Sequence, residues 1–274
     1  MQEIERLLLK HGISPDHLLD QCFMRDRGII EKIISLAGPG LGDTVLEIGA
    51  GIGTLTAPLA KKAGHVVAVE IDRKLAKALR DSVAGMANVE IVFGNALELA
   101  AGVKFDLLVS NTPYSICEPL VRLLAHCRFR SCVLALPENF TDTLMAARKS
   151  DKYTPLSFFF QHFFDCEKAF RVPDTAFFPQ PGVGSCVIKM WPRKPRGSEK
   201  LFREFMLLDR MKTANAFREA LIKAGRAGTK NAARDIVAGA GISRAVLEKR
   251  VKDLAVEELE IFAAATLRHG EDDI

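Results

Sequence analysis

The chain has 274 residues, 48% of them apolar and 26% charged, which fits a packed globular protein and excludes a disordered, fibrous or collagen-like one. Net charge is +4, too small over this length to single out nucleic acid, and no apolar run approaches membrane-spanning length. The six cysteines (Cys22, Cys117, Cys127, Cys132, Cys166, Cys186) stand singly, without C-x-x-C pairs or histidines at ligand spacing, so no metal site is expected and the thiols read as reduced core fillers. Glu3, Glu5 and Arg6 interrupt the leucines of the N-terminus, so no signal peptide is read, and a cytoplasmic location is expected. No heptad pattern demands a dimer, and a monomer is expected.

Along the chain, β-branched or apolar runs alternate with stretches of helical spacing. Ile29–Ala37 reads as a helix, Thr44–Ile48 as a strand, Leu55–Ala63 as a helix and Val66–Ile71 as a strand. Arg73–Ala84 (helix), Glu90–Phe93 and Leu107–Ser110 (strands), Glu118–Ala125 (helix), Ser131–Leu136 (strand) and Asn139–Lys149 (helix) continue the rhythm. This β-α repetition predicts an open α/β fold with a parallel sheet, in which Ser185–Met190 is a late strand. The aromatic run Phe158–Phe164 suits a strand near the sheet edge, though aromatic runs leave helix and strand hard to separate.

Proline, glycine and charge from Trp191 to Ser198 break regular structure, so a domain boundary is placed there, with domains 1–192 and 193–274. Beyond it, Glu199–Asp209, Asn215–Lys223, Lys230–Ala238, Arg244–Arg250 and Val256–Leu267 read as short helices. Between Arg193 and Arg234 twelve Lys/Arg stand against four acids. Such a stripe neutralises phosphates or, equally, is a solvated helix face. Apart from the acidic end Glu271–Asp273, no low-complexity tract is present.

The chemistry concentrates at two strand ends. Thr44–Ile48 runs into Glu47-Ile48-Gly49-Ala50-Gly51-Ile52-Gly53, an E-x-G-x-G-x-G loop whose glycines permit a tight turn and a close backbone approach to a ligand. Taken alone, the loop serves a dinucleotide as well, or is a turn with incidental glycines. Twenty-one residues after Gly49, Glu70 ends the second strand, where a carboxylate accepts both ribose hydroxyls of an adenosine, and Asp72 follows. Glu47 resembles the acidic residue with which class I methyltransferases end their first strand, and tips the loop towards S-adenosylmethionine.

Directly after the fourth strand comes Asn111-Thr112-Pro113-Tyr114, which resembles the N/D-P/I/L-P-Y/F/W motif of amino-methyltransferases. The lone pair of adenine's N6 is delocalised into the ring, so an enzyme that alkylates it must accept the amine hydrogens and let the nitrogen pyramidalise. The Asn111 carboxamide oxygen and the Thr112 carbonyl are the expected acceptors. Pro113 would fix the turn, and Tyr114 would offer a stacking face to a base drawn out of its helix. A plain strand-terminating turn is the competing reading of these residue types. Position at the carboxyl end of a central strand, on the edge shared with Gly49 and Glu70, argues for a site.

Further along, Lys152-Tyr153-Thr154-Pro155-Leu156-Ser157 and the stretch from Phe170 to Ser185, with Phe177-Phe178-Pro179-Gln180-Pro181, join Met211–Phe217 and Arg250–Leu254 in one pattern. With the two motifs above, the chain resembles the KsgA-type ribosomal RNA adenine dimethyltransferases, relatives of the Erm methyltransferases, from about residue 20 to 267. The resemblance implies a Rossmann-like class I S-adenosylmethionine methyltransferase domain followed by a small all-α, RNA-binding C-terminal domain. It places Gln21, Cys22 and Met24 at the methionine end of the cofactor, Gly49 and Gly51 in its loop, Glu70 on its ribose, Asn95 near its adenine, and Asn111 against both cofactor and base. Phe177, which by itself reads as core, becomes the second stacking face.

The activity so implied is transfer of methyl groups from S-adenosylmethionine to N6 of adenine in ribosomal RNA, in the 3′ region of the small subunit, during ribosome biogenesis. The partner is then ribosomal RNA or a small-subunit precursor, with no membrane and no metal. Departures from the family pattern stand at Asn95 (for Asp), Cys22 (for Asn or His), Thr112 (for Leu or Ile) and Leu136–Phe140. Of these, Asn95, Cys22 and the segment Pro137–Phe140 motivate an alternative of another class, a non-catalytic or weakly catalytic ribosome-assembly factor with a methyltransferase fold. A methyltransferase for another RNA or DNA adenine, or for a small-molecule amine, shares the tetrad.

Overall fold

The structure is a computed structural model and describes residues 3–100, 102–194 and 199–268. Arg196 of the basic stripe, 195–198 of the expected linker and the acidic end at Glu271–Asp273 lie outside them. Two compact units emerge, residues 1–142 with 165–192, and 143–164 with 193–274.

The first unit opens with α1 (Glu3–Lys10), β1 (Phe23–Met24) and α2 (Arg27–Ala37). The α2 helix starts where the Asp26 side chain accepts from the Ile29 amide and stops where Gly38 turns left-handed. There follow β2 (Thr44–Ile48), α3 (Thr56–Ala60), β3 (His65–Glu70), α4 (Ala76–Ser82), β4 (Val89–Phe93), α5 (Ala96–Leu99), β5 (Leu107–Asn111), α6 (Cys117–Leu124) and β6 (Ser131–Pro137). The strands β4, β3, β2, β5 and β6 pair in that order, all parallel, with Glu47 beside Ala68 and Val109. The chain reverses its direction of winding between β2 and β5, so a crevice opens beyond their carboxyl ends.

Completing the seven-stranded sheet are β9 (Ser185–Pro192), antiparallel to β6, and β7 (Phe164–Val172) at its edge. The sheet is therefore mixed, where the sequence rhythm predicts a parallel one. The link from β7 to β9 holds only a 3-10 turn and β8 (Phe177–Phe178), not the crossover helix that a parallel return requires. A separate two-stranded ribbon pairs β1 with β8, Met24 opposite Phe177. The main core, from Met24 and Ile33 through Val45, Val109 and Val187, lies on the sheet, and a smaller one of Ile4, Leu8, Phe23, Ile52, Leu75 and Ala78 ties α1 to the glycine loop.

The second unit gathers α8 (Pro155–Phe163), α9 (Glu199–Leu207), α10 (Thr213–Lys223), α11 (Lys230–Gly239), α12 (Arg244–Glu248) and α13 (Val256–Arg268); α7 (Glu138–Leu144) leads into it. The boundary expected at 192/193 is one of its edges, but residues 143–164, expected in the first domain, group with the C-terminal helices. The run Phe158–Phe164, suited by composition to a strand, is helical up to Phe163. Thr154 and Ser157 form a capping box and Pro155 takes the first helical position, a start signal that outweighs the strand preference of aromatics. An aromatic core holds the unit: Phe205 stacks on Phe262 at 4.6 Å, Phe217 meets Phe262 edge-on at 5.4 Å, and Phe158 meets Phe202 at 5.8 Å.

Candidate active site

All the site residues expected from the sequence belong to the first unit and lie at the carboxyl ends of β2, β3, β4 and β5 or in the segments that cover them. A cavity there is lined by Gln21, Cys22 and Met24, by Glu47, Gly49 and Gly51, and by Glu70, Asn95, Asn111 and Pro113. A second cavity adjoins, lined by His17, Thr112, Tyr114, Phe177, Gln180 and Val183 among others. Asp20, Cys22 and Asn111 line both.

Gly49 adopts φ 73°, and a Cβ there would stand 3.2 Å from Pro113 Cδ, so the glycine loop and the tetrad turn press directly against each other. The Gly51 amide, at φ 60°, donates to Glu70 Oε2 at 2.7 Å. Glu70 Oε1 accepts the Ile71 and Asp72 amides at 2.9 and 2.8 Å. Burial raises the pKa of this carboxyl, while the three amides pull it back towards the charged form. Glu70 thus braces the loop as well as edging the cavity, and Oε2 keeps acceptor capacity beyond its single amide.

Glu47 is 1% exposed, and its Oε2 has no hydrogen-bond partner among the described residues. Burial, and to a lesser extent the charge of Glu70, push its pKa up to about 8 against a lowering by the Thr56 hydroxyl, so the neutral form is favoured relative to a free carboxyl. An orphaned buried oxygen, a backbone cradle that a Cβ would fill and a carboxylate at the end of β3 together fit an adenosine-bearing ligand with an amino-acid arm. Ile71, 57% exposed, Ala96 and Ile116 are among the apolar residues that line that cavity, and the sequence assigns none of the three to the site.

Asn111 Nδ2 donates to the Cys22 carbonyl at 2.8 Å. That bond fixes the carboxamide with its donor end satisfied and leaves Oδ1 as an acceptor at the boundary of the two cavities. Pro113 sits at φ −56° and ψ 130° and starts the 3-10 turn Tyr114–Ile116 that runs into α6. The Tyr114 hydroxyl pairs with Ser185 Oγ at 2.5 Å, holding the ring against the second cavity. Ser110 Oγ donates to the Ile48 carbonyl at 2.7 Å and locks the ends of β5 and β2 together.

A profile of the family described as Ribosomal RNA adenine dimethylase matches residues 17–213. The chain belongs to this family. The ribosomal RNA small subunit methyltransferase A of Pelotomaculum thermopropionicum is 33% identical over 97% of this chain and 96% of that one, and the protein of that name from Moorella thermoacetica is 34% identical over 96% of each. Among solved structures, a dimethyladenosine transferase from Plasmodium falciparum superposes with a TM-score of 0.62 at 24% identity, covering 90% of this chain and 98% of that one. This last likeness is one of fold.

Within the family frame, several expected contact residues are committed to protein partners. Gln21 donates from Nε2 to Asp72 Oδ2 at 2.8 Å and accepts the Asp16 amide on Oε1 at 2.9 Å, so its amide ties the segment over the cavity to the end of β3. Asn95 is exposed at the rim and caps α5, its Oδ1 taking the Leu97 amide and its Nδ2 donating to Glu98. Phe177 borders the second cavity, yet its side chain is 1% exposed and belongs to the main core beside Met24. Ser185 ends the family-like stretch from Phe170 and Asp20 lies in no motif; the sequence assigns neither a role at the site, and each shows one through a bond, Ser185 with the Tyr114 hydroxyl and Asp20 with the amide of Ser115, the residue after the tetrad.

Proposed function

We propose that this enzyme methylates the N6 amine of adenine in small-subunit ribosomal RNA, with Asn111 as the acceptor that orients the amine and S-adenosylmethionine as the methyl donor. The reading is carried by one observation: Asn111 lines both cavities while its Nδ2 is tied to the Cys22 carbonyl, which dedicates Oδ1 to accepting hydrogen bonds. The names of the relatives from Pelotomaculum and Moorella support the substrate class.

When bound, S-adenosylmethionine supplies an electrophilic methyl group on a sulfonium. Glu70, Gly49 and Gly51 would form the wall that holds its adenosine, and Glu47 would offer a buried oxygen beside them. Asn111 Oδ1 accepts one amine hydrogen and the Thr112 carbonyl the other, which localises the lone pair on N6. Tyr114, restrained through Ser185, stacks on the extruded base and recovers part of the cost of unstacking it. The helical unit, with Lys200, Arg210, Lys230 and Arg234 exposed, contacts RNA phosphates. The site depends on positioning and directed acceptors rather than on a strong base.

The test is transfer of labelled methyl groups to ribosomal RNA in small-subunit particles. Asn111→Ala is expected to lower kcat by about 10²–10³-fold, the range for losing one group that stabilises developing charge. Undiminished transfer by that variant removes the proposed role of Asn111.

A further inference from the structure

Residues 16–22 contain a single 3-10 turn, His17–Leu19, yet they border both cavities. Asp20 closes that turn at φ 52°, the one non-glycine residue with positive φ among those described. A Cβ is strained in the left-handed region, although Asp and Asn tolerate it better than other residues. Such strain persists where the surroundings impose it. Here Asp20 Oδ2 accepts the Ser115 amide at 2.8 Å, across 95 residues of sequence. Ser115 follows the tetrad directly, and its N–H is among the donors left unpaired where the Tyr114–Ile116 turn begins. Two residues beyond Asp20, the Cys22 carbonyl holds Asn111 Nδ2. One short segment therefore grips the tetrad at Asn111 and just past Tyr114, and Gln21 anchors that segment to Asp72, two residues beyond Glu70.

We propose that Asp20 is a positioning residue for methyl transfer: from its left-handed backbone, its carboxylate clamps the Asn111–Tyr114 turn through the Ser115 amide and so sets where the Asn111 oxygen stands between the two cavities. The inference rests on the reading of that turn as the amine site. In this role Asp20 touches no reacting atom. Local stability and catalytic geometry pull in opposite directions at this position, which separates positioning from ordinary structural support. Glycine relieves the backbone and deletes the acceptor; asparagine keeps an acceptor and tolerates the same φ.

The experiment compares the full-length wild type, Asp20→Gly and Asp20→Asn by kcat, KM for ribosomal RNA, calorimetric binding of S-adenosylhomocysteine, Tm and amide exchange at Ser115. Asp20→Gly is expected to hold or raise Tm, to keep KM and S-adenosylhomocysteine binding, to lose kcat by about ten- to hundredfold and to lose exchange protection at Ser115. Asp20→Asn restores both kcat and protection. Wild-type kcat or intact Ser115 protection in Asp20→Gly overturns the proposal, as does a fall in Tm that accompanies the fall in kcat. Should the wild type transfer no methyl to ribosomal RNA, the amine-site reading fails separately, and Ser115 exchange in Asp20→Gly still decides whether the clamp exists.

Discussion

At the scale of single residues, the site is built by pairing some polar atoms and leaving others unpaired. Asn111 and Glu47 show the two sides of this. The first has its donor end spent on Cys22 and its acceptor end kept, and the second is a carboxyl that burial pushes towards its neutral form. Because the folded-state pKa of Glu47 lies above its unfolded value, the folded chain binds a proton that the unfolded chain has lost between pH 4.5 and 8. Stability from this group is full below that window and falls as pH rises through it, by at most about 1.4 kcal/mol per unit. Urea unfolding of wild type and Glu47→Gln across pH 5–8 is expected to show that decline in the wild type and its loss in the variant. Tyr114→Phe keeps the ring and should leave RNA binding near wild type, whereas Tyr114→Ala should cost about 1–3 kcal/mol of RNA affinity, measured by filter binding. The motif residues Gly49, Glu70, Asn111 and Tyr114 were legible in the sequence because strand ends and glycines mark them. Asp20 was not, since a left-handed φ and a bond over 95 residues leave no local pattern.

At the scale of elements, the central strands were legible because buried parallel strands read as continuous apolar runs, as in the wholly buried stretch of β6. The edge strand β7 escaped because its middle is polar and exposed, and β1 and β8 are too short to show a period. The aromatic run in α8 misleads for the opposite reason: it is buried around the helix, so no stripe separates helix from strand, and only the cap decides. Thr154→Ala is expected to lower stability by about 1 kcal/mol, read as a fall in Tm, by removing that cap.

Across the whole molecule, the two compact units divide after residue 192, where proline, glycine and charge interrupt the pattern, whereas the grouping of 143–164 with the C-terminal helices depends on contacts between distant segments and leaves no mark in the sequence. The basic stripe also changes character once folded. Lys212 pairs with Glu248 at 2.6 Å and Arg193 with Glu199 at 3.4 Å, while Arg203 lies over the Phe163 ring at 4.6 Å. Lys200, Arg210, Lys230 and Arg234 remain exposed. If these four neutralise RNA phosphates, each change to alanine should flatten the slope of log affinity against log salt by about 0.7, in binding titrations from low to high salt. An unchanged slope would remove them from the RNA interface.

In the proposed reaction Asn111 presents an adenine amine to a methyl donor at the junction of two cavities. Mass analysis of nucleosides from small-subunit ribosomal RNA, incubated with S-adenosylmethionine and either wild type or Asn111→Ala, tests it most directly. N6-methylated adenosine is expected with the wild type and little with the variant. Methyl groups on another atom, or equal N6-methylation by both proteins, would contradict it.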